Sequence, residues 1–284
     1  MSENIKKTMK QLIKKILTNC IWAKVWRNRE LTWRLTEREV LSRYKGSILG
    51  WVWTFIYPIG MLATYTIVFT QIYKAKWGIN AQGTDFEFAI NLFAGLIVFN
   101  LVAEVATKAP NLIIQNPNYV KKVIFPLEIL SITTVLASIF HAITSVGVLL
   151  ALEAYANHGQ LPATLVLLPF VWLPLILGCI AMALILSAIG VYIRDIGQIA
   201  GILVSVLLFL SPVFYPVSAV PEKLRSITKL NPIAAVIEET RKVTVTNKKP
   251  SKNYLINGTI GGIISCEIAY LMFKKLRGGF GDVI

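Results

Sequence analysis

The chain has 284 residues, of which 55% are hydrophobic and 15% charged, with a net charge of +14. An ordinary soluble domain carries about 25% charged residues, so this composition excludes a soluble globular protein and predicts a membrane protein with no nucleic-acid partner. Its three cysteines, Cys20, Cys179 and Cys266, lie far apart and two fall in apolar runs, which indicates neither a disulfide framework nor a cysteine metal site.

From Met9 onward Leu12, Ile13, Ile16, Leu17, Cys20 and Ile21 recur at three-and-four spacing, while Lys7, Lys10 and Lys14 mark the opposite face. That pattern predicts an amphipathic interfacial segment over residues 1–45, with Trp22, Trp26 and Trp33 at headgroup depth. The lysines interrupt the apolar stretch, so no cleavable signal peptide is expected. Glu30 with Arg34 and Glu39 with Arg43 form acid-before-base pairs at i,i+4, which favours helix continuing toward the first span. The segment serves either as a simple anchor or as a collector of anionic headgroups.

Residues 46–284 are read as one transmembrane domain of six helices, each crossing needing about 20 mostly apolar residues. Gly46 to Tyr73 is charge-free and supplies the first span. Phe86 to about Val105 is the second, ending near Glu104. Ile129 to Leu152 is the third and contains His141. The fourth runs from about Pro162 to Ile193 after an outer lead-in, and Pro169 and Pro174 are expected to bend it. Ile196 to Leu210 opens the fifth, and Asn253 to Phe273, carrying Glu267, is the sixth.

Between spans two and three lies a basic, proline-bounded stretch, Asn116 to Pro126. Asn116 can N-cap and Pro117 suits a first helical turn, while Pro126 pushes Phe125 out of the helical region. A helix of about two turns is therefore expected between two crossings, with Tyr119, Val120, Lys121 and Lys122 presented to a partner. The plainer alternative is a loop whose lysines only enforce topology.

Residues 1–45 hold twelve lysines and arginines, which orients both termini to the cytoplasm under the positive-inside bias. Nineteen such residues then lie inside and ten outside. Eight of those ten fall between spans five and six, at Lys223, Arg225, Lys229, Arg241, Lys242, Lys248, Lys249 and Lys252, so the bias is strained there.

No phosphate loop of the G-x-x-x-x-G-K-[ST] type occurs, so ATP-driven work belongs to another chain. His141 and His158 are the only histidines, and neither a zinc-hydrolase motif nor paired carboxylates are present. Glu104, His141 and Glu267 are the ionisable groups within spans. His141 is expected in a helix-to-helix hydrogen bond and Glu267 against Lys274 or Lys275, which leaves little for a proton relay.

Four motifs carry a resemblance. Arg43-Tyr44-Lys45-Gly46-Ser47-Ile48-Leu49-Gly50-Trp51-Val52-Trp53, followed by Pro58, resembles the entry to the first span in permease subunits of bacterial ABC polysaccharide exporters, which include the O-antigen, capsule and teichoic acid exporters. Lys121-Lys122-Val123-Ile124-Phe125-Pro126-Leu127-Glu128 is similar to that family's segment after span two, and Arg194-Asp195-Ile196 to its turn between spans four and five. Ser211-Pro212-Val213-Phe214-Tyr215-Pro216, Val220-Pro221-Glu222 and Leu230-Asn231-Pro232, with Arg241 beyond, resemble its outer segment.

The resemblance implies a homodimeric channel in the bacterial inner membrane, bound to two copies of a separate ATPase that holds ATP and magnesium, with no cofactor in this chain. It further implies export of a polysaccharide linked to a polyprenyl diphosphate lipid. Arg43, Tyr44, Lys45, Gly46, Gly50 and Trp51 would then form the headgroup entry at the inner surface. Trp53, Phe55, Tyr57 and Tyr65, with Phe93, Phe99, Phe209, Phe214 and Tyr215, are candidates to line a sugar path, since aromatic faces stack on sugars and still permit sliding. Each could instead face lipid. Asn116 and Tyr119 to Lys122 become the ATPase-coupling element. Pro212, Pro216, Pro221, Asn231 and Pro232 would break the fifth span into a partly embedded outer gate. A permease of similar architecture that exports a small lipid or drug is the alternative.

Overall fold

A computed structural model describes residues 21–77, 84–121, 125–156 and 158–284, and among them the regular structure is entirely helical. The amphipathic face expected over Leu12 to Cys20, with Lys7, Lys10 and Lys14, lies outside the described residues, as does Lys122. Two helices, α1 (Ile21–Arg27) and α2 (Arg29–Ser42), precede the first long apolar element. Helix does not run on into that element, because Gly46 and Gly50 adopt φ of +83° and +47°, a left-handed region that suits glycine and ends the regular turn.

The first apolar element starts as a short 3-10 turn at Gly50–Val52, continues as α3 (Trp53–Thr66) and ends in a π-helical turn, Ile67–Ile72. Only one narrow stripe of α3, Thr54, Pro58 and Leu62 at four-residue spacing, is buried. By contrast α4 (Asp85–Lys108) is buried on nearly every side and forms the mast of the bundle. A sequence apolar all round is suited to that position. Its start is set by a reciprocal capping box between Thr84 and Glu87. It continues past Glu104 into a 3-10 turn, Ala109–Asn111, so Glu104 sits inside the helix.

A single turn, α5 (Pro117–Val120), follows where about two turns are expected. Asn116 precedes it without capping: its side-chain amide donates to the Leu112 carbonyl, 2.9 Å away, and so closes the preceding turn. Then come α6 (Glu128–Ala156) and α7 (Leu168–Tyr192), the latter led by a 3-10 segment, Ala163–Leu167. Pro169 falls in the first turn of α7, where its missing N–H is not required; it starts the helix, and Pro174 alone lies inside it. The helices α4, α6 and α7 form the core. At its centre the Ser131 and Ser187 hydroxyls, 2.9 Å apart, join α6 to α7.

Among the described residues five elements are long and apolar enough to cross a membrane: Gly50–Ile72, Asp85–Asn111, Glu128–Ala156, Ala163–Tyr192 and Lys252–Val283. The remaining apolar helix, α8 (Ile196–Leu210), has 15 residues. At 1.5 Å per residue it reaches about 22 Å, short of a bilayer's hydrocarbon core. After α8 the chain breaks at Ser211, forms α9 (Glu222–Leu230) and restarts as α10 (Pro232–Thr244). The restart is set by Asn231, whose side chain accepts from the Ile233 N–H at 3.0 Å. Ile233, Val236, Ile237 and Thr240 are buried on one face of α10, as the spacing predicts. The last long helix is α11 (Lys252–Leu276); a 3-10 turn, Arg277–Gly279, leads from it to α12 (Phe280–Val283).

Two helix crossings are unusually close. At Gly190 of α7 a β-carbon would lie 2.0 Å from the Pro110 carbonyl oxygen, and at Gly262 of α11 it would lie 2.7 Å from the Leu177 β-carbon. Without a hydrophobic driving force between helices in lipid, such small-residue contacts supply much of the packing.

Candidate functional site

A cleft of about 870 Å³ opens between α2, α3, α4 and α6. It exists because α2 does not lie apart from the bundle. Its buried face, Thr32, Leu35, Thr36 and Val40, packs along α6, carrying Arg43 upward until its guanidinium Nη1 is 3.0 Å from His141 Nδ1. His141 lies thirteen residues beyond the start of α6 at Glu128, roughly 20 Å along its axis. The Arg43 guanidinium is therefore level with the middle of α6, and its side chain is still 43% exposed.

Neither expected i,i+4 pair of α2 forms. Arg34 turns to Glu37, 3.9 Å away, Arg43 reaches Glu104 of α4 at 3.3 Å, and Glu39 pairs with Lys108 at 3.3 Å. Lys108 Nζ also lies 2.9 Å from Glu104 Oε1, and His141 Nδ1 is 3.1 Å from each Glu104 oxygen. One carboxylate thus gathers an arginine, a lysine and a histidine. Glu104, at 17% exposure, offers both cations a less solvated partner than an exposed helix face does, and attraction is stronger there. Sequence reading treats Glu104 and His141 as isolated groups; their separation of 37 residues gives no signal that they meet.

Beside these charges the cleft is lined by aromatic and apolar side chains. Tyr44, Trp53 and Tyr57 line it from the α2–α3 side and Phe93 from α4. The expected sugar-path residues therefore divide by helical phase. Trp53 and Tyr57 share the cleft face of α3, Phe55 points away and is exposed, and Phe99 is buried in the core. Lys45, Gly46, Gly50 and Trp51 do not line the cleft. Lys45 is exposed, and Trp51 packs edge-on against Phe140 at 5.9 Å.

Tyr65 and Phe214 belong to a second aromatic group at the far end of α3, where Phe69 stacks on Phe214 at 5.0 Å and on Phe88 at 5.9 Å. Phe209 is largely exposed, and its carbonyl accepts from the Tyr215 hydroxyl at 2.9 Å. Beside this group Arg241 of α10 is buried. Its guanidinium donates to the Asn91, Pro212 and Val213 carbonyls at 2.7 to 2.9 Å and lies 4.4 Å over the Trp77 ring. Burial pulls its pKa down to about 10, and Glu238 opposes that shift. Arg241 thereby fastens the broken segment Ser211–Val213 to the mast. Pro212 is buried there, Pro216 half-buried and Pro221 exposed, while Asn231 also donates to the Ser211 hydroxyl at 2.9 Å.

At the opposite end, Glu128 is a buried carboxylate shared by Lys24 of α1 and Arg277 after α11. Arg277 also donates to the Phe125 carbonyl at 2.9 Å. Tyr119 of α5 stacks on Phe125 at 4.3 Å and accepts from Arg38 of α2 at 2.8 Å. The short element Asn116–Lys121, with Val120 half-buried and Lys121 exposed, is so tied to α2, α6 and the chain's last helices. Glu267 pairs with neither Lys274 nor Lys275 but is half-buried near the Ile21 backbone. No group of three or more histidine, cysteine or acidic side chains suited to a metal occurs among the described residues.

Residues 30–244 match a membrane family described as ABC-2 type transporter. Among curated relatives, the O-antigen export system permease protein RfbA of Myxococcus xanthus is 26% identical over 92% of this chain and 97% of that protein. The protein of the same name from Klebsiella pneumoniae is 22% identical over 88% and 93%. The polysialic acid transport protein KpsM of Escherichia coli is 22% identical over 78% of this chain and 85% of its own.

Proposed function

This chain belongs to the ABC-2 type transporter family, and on that footing we propose that it is the permease subunit of an ATP-driven bacterial polysaccharide exporter. Its substrate is an O-antigen-like glycan carried on a polyprenyl diphosphate lipid, moved from the inner to the outer leaflet of the cytoplasmic membrane through a homodimeric channel. The observation that carries this reading is the cleft, where Arg43 and Lys108 share one lining with Tyr44, Trp53 and Tyr57. Paired cations suit a diphosphate, and the aromatic faces in the same cleft suit the first sugars. The names of the relatives point to the same class of cargo.

In this reading α8 is the sixth crossing, completed by the broken segment after Ser211, and both termini are cytoplasmic. The helices α9 and α10 form an outer gate, with irregular backbone covered by Arg241 and α4. The two exposed apolar faces, on α3 and α8, meet a second copy or lipid. ATP is hydrolysed by a separate chain that docks on Asn116 to Lys122.

Replacing Arg43 by glutamine should reduce export, and binding of a lipid diphosphate, at least tenfold, since a hydrogen bond to a charged group contributes about 1.5–3 kcal/mol. Membrane insertion should be unaffected. Unchanged export, followed by surface glycan staining, would remove the headgroup site. Charge reversal at Lys121 should weaken co-purification of the ATPase and abolish its stimulation by substrate; intact coupled hydrolysis would leave that turn a topological signal only.

A further inference from the structure

The cations of the cleft are already satisfied. Arg43 and Lys108 face two carboxylates, Glu104 and Glu39, so with a neutral His141 the cluster carries no net charge. A neutral cleft exerts little long-range pull on an anion, and an anion that binds Arg43 competes with Glu104 for it.

His141 is built to accompany that exchange. Its Nδ1 is within hydrogen-bond distance of Arg43 at 3.0 Å and of Glu104 at 3.1 Å. It cannot serve both in one state: without a proton Nδ1 accepts from Arg43, and with one it donates to Glu104. The proton on a histidine ring is normally fixed by the bond that the other nitrogen makes. Here Nε2 is buried and has no hydrogen-bond partner among the described residues, so neither state is locked.

We propose, resting on the headgroup reading of this cleft, that Glu104 is an internal counter-anion which holds Arg43 until a diphosphate replaces it, and that His141 then takes over Glu104. Departure of Arg43 leaves the carboxylate with Lys108 and with the Nδ1–H of His141, so no buried charge is stranded. Protons assist the exchange. A doubly protonated His141 can only donate at Nδ1 and repels Arg43, which frees the guanidinium. The groups facing His141 are Arg43 and Tyr44 from the segment after α2, and Glu104 from α4 with Lys108 behind it. Glu39 of α2 and Tyr57 of α3 line the same cleft.

The test uses the permease with its ATPase in nanodiscs of neutral phosphatidylcholine, and a glycosyl polyprenyl diphosphate as probe. As a diester that probe is fully ionised near neutrality and does not itself titrate. Glu104→Gln should bind it about five- to tenfold more tightly than wild type, the scale of a typical coupling between sites. Wild-type binding should tighten by about the same factor on acidification, and His141→Gln should abolish that dependence. Parallel arms with inorganic diphosphate, and with phosphatidylglycerol replacing the probe, show whether the exchanged anion is free, a common lipid headgroup or the glycolipid. A gain on Glu104→Gln in any arm supports the exchange.

Weaker or unchanged binding by Glu104→Gln overturns it. If that variant does not fold, a pH-independent wild type, or a His141→Gln as pH-dependent as wild type, overturns it equally. The headgroup reading fails separately, when Arg43→Gln binds the probe as wild type does.

Discussion

Gly190→Ala is expected to abolish a stable permease. The added β-carbon would meet the Pro110 carbonyl oxygen at 2.0 Å, its carbonyl carbon at 2.8 Å and its α-carbon at 2.9 Å. All three are backbone atoms, so no side-chain rotation relieves the clash and α4 must separate from α7. Overpacking of this kind costs roughly 3 kcal/mol or more when backbone has to move, a large fraction of a typical stability of about 5–15 kcal/mol. Size-exclusion chromatography after heating in detergent should show the variant lost from the monodisperse peak well before wild type. Gly178→Ala, whose β-carbon would meet nothing within 4 Å, is the control and should melt like wild type. Equal melting of Gly190→Ala would mean that the crossing of α4 and α7 is looser than described.

The second large effect is expected at Glu128. Its side chain is 2% exposed and is held by Lys24 and Arg277. Glutamine keeps the volume but leaves two cations at least partly buried without a counter-charge. Removing one partner of a buried ion pair costs about 3–5 kcal/mol, and the partial exposure of both cations places Glu128→Gln at or below the lower end of that range. The Phe125 carbonyl also loses the orienting hold of Arg277. Limited proteolysis should therefore cut Glu128→Gln near residues 116–127 faster than wild type, and its complex with the ATPase should hydrolyse ATP without responding to substrate. Wild-type cleavage and coupling would show that Tyr119 and Arg38 alone hold the turn.

The composition and the long apolar runs made the helical membrane class and most helix positions legible, because hydropathy reports transfer out of water residue by residue. What local pattern could not supply was pairing across the bundle. Glu39 and Arg43 have ideal i,i+4 spacing, yet each prefers a partner on α4. Asn116 has the type of an N-cap and is spent on the turn before it. Pro169 has the type of a helix bender and opens a helix instead.

Arg241 shows the same limit in reverse. Counted among cations that strain the positive-inside bias, it is a buried donor to three carbonyls. Arg225 donates to the Val220 and Ser218 carbonyls, and Lys242 is neutralised by Glu239. The strain in the charge count is thus partly an artefact of treating every cation as a free surface charge. In the cleft, Trp53, Tyr57 and Arg43 were identifiable from sequence; Glu104 and His141 were visible only as ionisable groups in spans, and their partnership with Lys108 required the fold.

The π-helical turn at Ile67–Ile72 gives α3 a property that its neighbours lack. A π turn holds one more residue than an α turn and so rotates everything beyond it about the helix axis. It behaves as a dislocation in a crystal does: the fault can migrate by exchanging one hydrogen bond at a time, and the rod never has to break. Phe69, inside that turn, stacks on Phe214, so its contact with the broken segment is set by the π register and not by the α register that seats Trp53 and Tyr57 in the cleft.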